Sequence, residues 1–224
     1  MEMAKKYVDS GCDTIEWCIP PKDAYVDPPY IQEKLKIARE QCDDYNRYFN
    51  LIKEFKSRNK KTEVILLLYQ EIIEEIGIDE IADLCSIAEI DTILSGNLTN
   101  PEIRNGLMEK GLKVSSSVNY TLYDEEIELA CNTNGFVYMQ ALPSNEDIEH
   151  GRGPETLKKG IELLRSKGIT RDIYCGVGIR KPEDIQFIKN SGGQGFFLGS
   201  TILKHYDDPE KLTEVIKIYK EASK

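Results

Sequence analysis

Histidine is scarce in this chain: only His150 and His205 occur among its 224 residues. A histidine-based hydrolytic triad and a histidine-rich metal centre are therefore nearly excluded, because both need several such side chains in one place. The six cysteines are scattered, and no two form a C-x-x-C pair. This scatter is typical of reduced thiols in the cytoplasm rather than of a disulfide framework or a zinc site. We therefore expect a cytoplasmic protein without a bound metal.

Long apolar runs and basic clusters are missing as well. The longest apolar run covers residues 64–69, whereas a membrane span needs roughly 20 apolar residues. No charged leader followed by an apolar stretch and a cleavage site signals secretion. The chain has 29 Lys and Arg against 39 Asp and Glu, a net charge of −10. Because nucleic acids and anionic membranes bind clustered Lys and Arg, the sequence predicts that neither is a partner.

Short apolar or β-branched segments alternate with longer charged segments of helical spacing along the whole chain. The predicted strands are residues 14–19, 64–69, 92–95, 114–118, 136–140, 173–175 and 195–198. The predicted helices are residues 30–57, 79–87, 101–110, 124–131, 154–166, 182–191 and about 208–222. Such alternation indicates parallel strands joined by crossover helices. With no internal break in composition, the sequence predicts a single domain over residues 1–224.

Two architectures fit this alternation, an open doubly wound sheet and a closed (β/α)₈ barrel. Residues 3–10 have the pattern of a helix that runs straight into the first strand, so seven strands are visible instead of eight. A barrel closes to remove its sheet edges, and seven strands leave two edges unpaired. We therefore predict an α/β fold of the TIM-barrel type whose N-terminal strand is missing, because the sequence starts late through truncation or an internal Met.

The first visible strand carries an acidic residue on its inner face. Alternation along residues 14–19 points Glu16 and Cys18 into the barrel. An inward carboxyl group has a raised pKa, which suits a general acid or base near neutral pH. A structural glutamate paired with a neighbouring Lys or Arg is an equally good interpretation. Eleven residues later Asp27 precedes Pro28, and from the residues alone this pattern favours a helix N-cap.

Glycine-containing turns follow the last two predicted strands, in CGVGI (175–179) and LGS (198–200). Glycine allows the backbone to approach a phosphate, and the helices that follow offer free N–H groups. In barrels, phosphate often binds after the last two strands. Two consecutive turns favour a phosphate site, with ordinary β–α turns as the alternative. Tyr138 lies on a strand expected to line the same barrel, although a strand tyrosine usually only packs.

The segment IEWCIPPKDAYVDPPYIQ (15–32) resembles the strand-two signature of the tryptophan synthase α-subunit family, roughly E-L-G-x-P-F-S-D-P-x-A-D-G-P-x-I-Q. GFVY (135–138) resembles the strand of that family that carries an active-site tyrosine. CGVGIRKPEDI (175–185) and GFFLGSTI (195–202) resemble its two phosphate-binding turns. The resemblance implies a lyase of tryptophan biosynthesis that splits indole-3-glycerol phosphate into indole and glyceraldehyde 3-phosphate.

The resemblance also implies a role for each matched residue. Glu16 protonates the indole carbon as the C–C bond breaks, Asp27 holds the indole N–H, and Tyr138 supports the position of the substrate. The implied phosphate-binding residues are Gly178, Gly199 and Ser200, and the implied residues of the loop that meets a β-type subunit are Pro20 and Asp23. This chain itself needs no cofactor, since pyridoxal phosphate belongs to the β-type partner.

Several positions depart from the family pattern. Pro28 replaces a glycine, Asn97 stands where an aspartate is usual, and Val177 stands where the family has a phenylalanine. The family's lid motif, G-V-T-G, is not recognisable in the longer segment 141–153. These departures support an alternative function: a non-catalytic or altered-specificity phosphate-binding barrel that partners a β-type subunit.

Overall fold

Helices and parallel strands alternate along the chain in the order that the sequence predicts. The structure is a computed structural model that describes residues 1–24 and 27–224. Its contacts group the chain into two units: Met1 with Asp13–Val114, and Glu2–Cys12 with Ser115–Lys224. The chain starts with helix α1 (Glu2–Asp9), which belongs to the second unit. The single domain over residues 1–224 and the absence of a first strand both stay predictions.

The first unit is built on a parallel sheet with the strand order β1-β2-β3-β4. Its elements in chain order are β1 (Thr14–Cys18), α2 (Pro29–Gln41), α3 (Tyr45–Arg58), β2 (Glu63–Leu67), α4 (Gln70–Ile76), α5 (Ile78–Ile87), β3 (Thr92–Leu94), α6 (Pro101–Glu109) and β4 (Lys113–Val114). The register between β1 and β2 places Glu16 beside Ile65 and Cys18 beside Leu67. The carboxyl ends of β1 and β2 therefore lie side by side, which brings the segments that follow them together.

The second unit is built on a parallel sheet with the order β5-β6-β7-β8. Its elements after α1 are β5 (Ser116–Val118), α7 (Asp124–Cys131), β6 (Val137–Gln140), α8 (Asn145–Glu149), α9 (Thr156–Ser166), β7 (Ile173–Gly176), α10 (Glu183–Ser191), β8 (Gly195–Phe196), α11 (Ser200–Leu203) and α12 (Pro209–Ala222). Tyr138 pairs with Tyr174, and Tyr174 with Gly195, across neighbouring strands. These residues therefore share one face of the sheet.

The predicted helix over residues 30–57 is wrong as a single element, because the structure contains α2 and α3 instead. Cys42 adopts an extended backbone conformation (φ −155°, ψ 120°) that ends α2. The Asp44 side chain then accepts a hydrogen bond from the Asn46 N–H and starts α3. Helical spacing continues through the break, so the periodicity alone did not indicate it.

Most predicted strands are shifted at their ends by one or two residues, and two of them differ in a way that affects the sheets. The predicted strand 114–118 is divided between β4 and β5, which pair in different sheets on either side of Ser115. The predicted strand 195–198 is ordered as a strand only over Gly195–Phe196. Helices α4, α8 and α11 were not predicted, since each is too short to show a clear helical period.

The core of the second unit is formed by apolar side chains between its sheet and its helices. Leu157, Ile161 and Leu164 on one face of α9 pack against Val137 and Met139 of β6. Among the residues that the structure describes, no helix is both long and apolar enough to cross a membrane.

We predict that Leu164→Ala lowers the free energy of unfolding by about 2–5 kcal/mol, because Leu164 is fully buried and truncation leaves a cavity. Leu163→Ala makes the same chemical change on the same helix at a partly buried position, so its cost is expected to be smaller. Urea denaturation followed by circular dichroism measures both values. Equal costs for the two variants would contradict this account of the core.

Candidate active site

Strand β1 presents Glu16 on the face opposite to its packed side chains. Ile15 is buried, and the Trp17 ring lies against Phe55 of α3 with the ring centroids 5.6 Å apart. Because side chains alternate along a strand, Glu16 and Cys18 point away from α3. This is the orientation that the sequence predicts.

The Glu16 carboxyl group is in an environment that favours its protonated form. Glu16 as a residue is exposed to solvent, but protein atoms lie around its carboxyl group, and the resulting loss of hydration is the main cause of its raised pKa. Desolvation first, and then the negative charge of Asp27, raise the pKa of Glu16 from 4.5 to about 7. Among the described residues Glu16 forms no ion pair with Lys or Arg, so the interpretation as a cation-paired structural glutamate is wrong.

Asp27 is not the helix N-cap that the residues alone favoured. The N-cap of α2 is Pro28, and no side-chain cap hydrogen bond is present there. Instead, the Asp27 carboxylate accepts a hydrogen bond from the Tyr69 hydroxyl, and its backbone carbonyl accepts one from Gln32 Nε2 at 2.6 Å. Asp27 is therefore held by Tyr69 and by Gln32 of α2, close enough to Glu16 to affect the pKa of that residue.

Tyr69 is a candidate functional residue that the sequence analysis missed. It lies just after the end of β2, and the carboxyl end of β2 is next to that of β1. Burial, and then the hydrogen bond to Asp27, raise the pKa of Tyr69 far above its ordinary value, so its hydroxyl remains a donor. The position of Tyr69 after a strand adjacent to β1 could have indicated a functional role, because the active sites of barrels lie at the carboxyl ends of their strands.

Cys18 shares the face of Glu16 but lacks the properties of a nucleophile. Burial, followed by the negative charges of Glu16 and Asp27, raises the pKa of Cys18 well above its ordinary value. The group therefore stays a thiol, whereas nucleophilic attack needs the thiolate. Within residues 1–24 and 27–224, His, Cys, Asp and Glu side chains form no group of three or more suited to hold a metal ion.

The segment predicted to meet a partner connects β1 to Asp27. Pro20 is buried, whereas Asp23 is exposed. The backbone N–H groups of Lys22 and Asp23 donate to Glu71 Oε1 at 3.0 and 3.4 Å. Residues 25 and 26, which belong to the segment 15–32 that carries the family resemblance, lie outside the described residues.

In the second unit, the structure brings the two predicted phosphate turns into contact. The first turn follows β7 and contains Gly178 with a positive φ of 88°. The second contains Gly199 and Ser200, both exposed, at the start of α11. The Thr201 hydroxyl donates to the Ile179 carbonyl oxygen at 2.5 Å, and this bond joins the two turns.

Not every N–H group near these turns is available to a ligand. The Asp184 carboxylate accepts the N–H groups of Arg180 and Lys181 at 2.8 and 3.0 Å, so these two N–H groups are already bonded within the protein. Among the described residues, the N–H groups of Gly178, Gly199 and Ser200 have no protein acceptor. Backbone N–H groups at the three positions that the sequence singled out are therefore available to a ligand.

Tyr138 lies on the inner face of β6, close to the first of these turns. Its ring is 5.1 Å from the ring of Phe197, centroid to centroid. Its hydroxyl occupies the space in which a Cβ atom at Gly176 would stand. Gly176 is thus required because any side chain would collide with Tyr138.

We expect Gly176→Ala to displace the Tyr138 ring and to lower the melting temperature by several degrees, since a Cβ atom cannot fit in this space. Gly96→Ala is the matched control, because nothing lies within 4 Å of a Cβ atom at that position. Differential scanning fluorimetry gives the melting temperatures, and a crystal structure of the variant gives the ring position. An unmoved Tyr138 ring would refute the steric explanation.

The segment 141–153, which the sequence suggests as a lid, contains α8 and a network centred on Asp147. The Asp147 carboxylate accepts hydrogen bonds from Gln140 Nε2 at 2.8 Å, from the N–H and hydroxyl of Ser144, and from Arg152 Nε at 2.9 Å. Burial alone would raise the pKa of Asp147, but these bonds outweigh it and hold the pKa far below its usual range. The network ties α8 to the end of β6.

We predict that Asp147→Asn destabilises the protein by about 3 kcal/mol at pH 7, because the buried Arg152 pair loses its anion. The pKa of Asp147 is lower in the folded state, so its stabilising contribution is complete above the ordinary pKa of aspartate. The gap between the two proteins should therefore shrink as the pH falls below about 4. Chemical denaturation at several pH values measures it, with the exposed Glu149→Gln as control. A gap that does not change with pH would contradict the charge assignment.

Known proteins that resemble this chain in sequence or fold are tryptophan synthase alpha chains. The family model for the tryptophan synthase alpha chain matches residues 1–223. The tryptophan synthase alpha chain of Staphylococcus carnosus is 25% identical over 202 residues, which cover 88% of this chain and 80% of the relative. The solved alpha subunit from Legionella pneumophila superposes with a TM-score of 0.82 at 21% identity, covering 99% of this chain and 86% of that one. A tryptophan synthase complex from Pyrococcus furiosus gives a TM-score of 0.77 at 23% identity, covering 99% and 91%.

The fold is therefore an α/β fold of the TIM-barrel type, as the sequence predicts, and the protein is an enzyme of the lyase class. The chain belongs to the tryptophan synthase alpha chain family. The resemblance noted in the sequence is thereby confirmed.

Proposed function

We propose that this chain cleaves indole-3-glycerol phosphate into indole and glyceraldehyde 3-phosphate, with Glu16 as the proton donor. The observation that carries the proposal is the position of Glu16 on β1, opposite to the packed Ile15 and Trp17 and near Asp27. Desolvation and Asp27 raise its pKa to about 7, and no Lys or Arg among the described residues opposes them. Membership of the tryptophan synthase alpha chain family supports the choice of substrate.

The reaction breaks the bond between indole C3 and the glycerol carbon that carries a hydroxyl group. Indole C3 gains a proton, and the hydroxyl loses one as the aldehyde forms. We infer that Glu16 gives its proton to C3 and that the resulting carboxylate accepts the hydroxyl proton. About half of the Glu16 side chains are protonated at pH 7, compared with less than about 1% for an ordinary glutamate.

In this proposal, Asp27 stabilises the reaction intermediate in which the indole ring is protonated at C3. When C3 is protonated, positive charge develops on the indole ring nitrogen, and a carboxylate that accepts its N–H stabilises that charge. The hydrogen bond from Tyr69 fixes the direction of the Asp27 carboxylate. Tyr69 is thus a positioning residue in this mechanism, and Asp27 supplies the charge.

The second unit supplies groups for the phosphate. The N–H groups of Gly178, Gly199 and Ser200, on two turns joined by Thr201, are free to bind an anion. We propose that they hold the substrate phosphate and that Tyr138 contacts the substrate. Indole formed here would be used by a β-type subunit that holds pyridoxal phosphate and that meets the loop containing Pro20 and Asp23. The Pyrococcus furiosus relative was solved as a tryptophan synthase complex, which supports such a partner.

We expect the purified chain to release indole from indole-3-glycerol phosphate, and we expect Glu16→Gln to lower kcat/KM by about 10²-fold or more, because the glutamine has no proton to transfer. In the wild type, kcat/KM should fall as the pH rises through about 7, where Glu16 loses its proton. Indole release is measured with and without a β-type subunit across this pH range.

Glu63→Gln is the matched control, since Glu63 is an exposed strand glutamate at the other end of β2. It should keep wild-type kinetics. No indole release from the wild type under either condition would refute the lyase proposal. Binding of the β-type subunit in that case would favour the non-catalytic alternative.

A further inference from the structure

We propose that Glu71 is a positioning residue that holds the loop between β1 and Asp27 in place, and that it sets the distance of Asp27 from Glu16. This inference rests on the proposed function, because its kinetic effect is defined for indole release. The evidence for the inference is the contact between the Glu71 carboxylate and the backbone N–H groups of that loop.

Glu71 is located in the first turn of α4, immediately after Tyr69 and Gln70. One oxygen, Oε1, accepts the N–H groups of Lys22 at 3.0 Å and Asp23 at 3.4 Å. Bonds to a carboxylate are stronger than those between neutral groups.

Two further contacts attach the same loop region to the α4 segment. The Lys22 ammonium group lies 2.9 Å from Glu75 Oε2, and the Tyr69 hydroxyl donates to Asp27. The Glu75 contact is solvent-exposed and therefore weak. The hydrogen bonds from the Lys22 and Asp23 N–H groups to Glu71 are thus the stronger polar restraint on these two residues, and Tyr69 and Gln32 restrain Asp27.

The loop needs such a restraint because of the charge that it carries. Asp27 raises the pKa of Glu16 by repulsion between like charges, and the same repulsion favours a larger separation between them. Among the described residues, the groups that interact with Glu16 are Asp27, Cys18 and Tyr69, and none of these is a cation that could offset the repulsion. Release of the loop at Lys22 and Asp23 would therefore allow Asp27 to move away from Glu16.

For Glu71→Ala we expect kcat to fall by about 10-fold or more, as small displacements of catalytic groups do, while KM changes less. The alkaline limb of the kcat/KM profile should move to lower pH, because a more distant Asp27 raises the pKa of Glu16 less. Glu71→Gln should recover most of the lost rate, since its amide oxygen still accepts the two N–H groups. Glu80→Ala, an exposed glutamate on α5, is the matched control and should behave as the wild type.

Hydrogen–deuterium exchange tests the restraint independently of turnover. The amides of Lys22 and Asp23 should exchange faster in Glu71→Ala than in the wild type or in Glu80→Ala. Unchanged exchange, or an unchanged kcat and pH profile in an active protein, would overturn the proposal. If the wild type releases no indole, the proposed function is overturned instead. The two failures are distinguishable because the wild type is assayed before any variant.

Discussion

The candidate site depends on one unfavourable interaction, the proximity of two carboxyl groups in a poorly hydrated place. Desolvation and Asp27 together keep the Glu16 carboxyl substantially protonated near neutral pH. Either effect would be lost if water or a cation reached the group. The surrounding structure favours the protonated form of Glu16 in two ways: β1 orients Glu16, and Tyr69 together with α4 restrains Asp27. The proximity of the two carboxyl groups lowers the stability of the folded protein, and in return it provides a carboxylic acid that can transfer a proton.

The sequence was sufficient to predict those parts of the site that depend on local geometry. Alternation along β1 placed Glu16 correctly, because the side-chain period of a strand is fixed by its backbone. The same reasoning failed for Asp27, whose pattern with Pro28 indicated an N-cap. Its actual partner, Tyr69, is 42 residues away in the sequence. No local pattern reports such a contact; only the parallel pairing of β1 with β2 brings the two residues together.

The fold shows the same division between local and long-range information. The approximate positions of most strands and helices followed from periodicity, and the parallel direction of the strands followed from their alternation with helices. The break between α2 and α3 depends on an extended Cys42 and a capping Asp44, within a stretch whose spacing is helical throughout. The glycine at position 176 was interpreted as part of a phosphate turn, yet its small size is required by Tyr138. A glycine indicates that another group comes close to the backbone, but the sequence alone does not show which group that is.

The acidic composition of the chain does not conflict with binding of a phosphorylated substrate. The net charge of −10 is spread over the whole sequence, and at physiological ionic strength exposed charges are largely screened beyond about 8 Å. What an anion experiences is therefore the set of donors in direct contact with it. At the two joined turns the donors that we propose are the backbone N–H groups of Gly178, Gly199 and Ser200, whose partial charges do not depend on pH. Proton transfer and anion binding thus rest on different chemistry, so that titration of Glu16 changes the first without weakening these backbone donors.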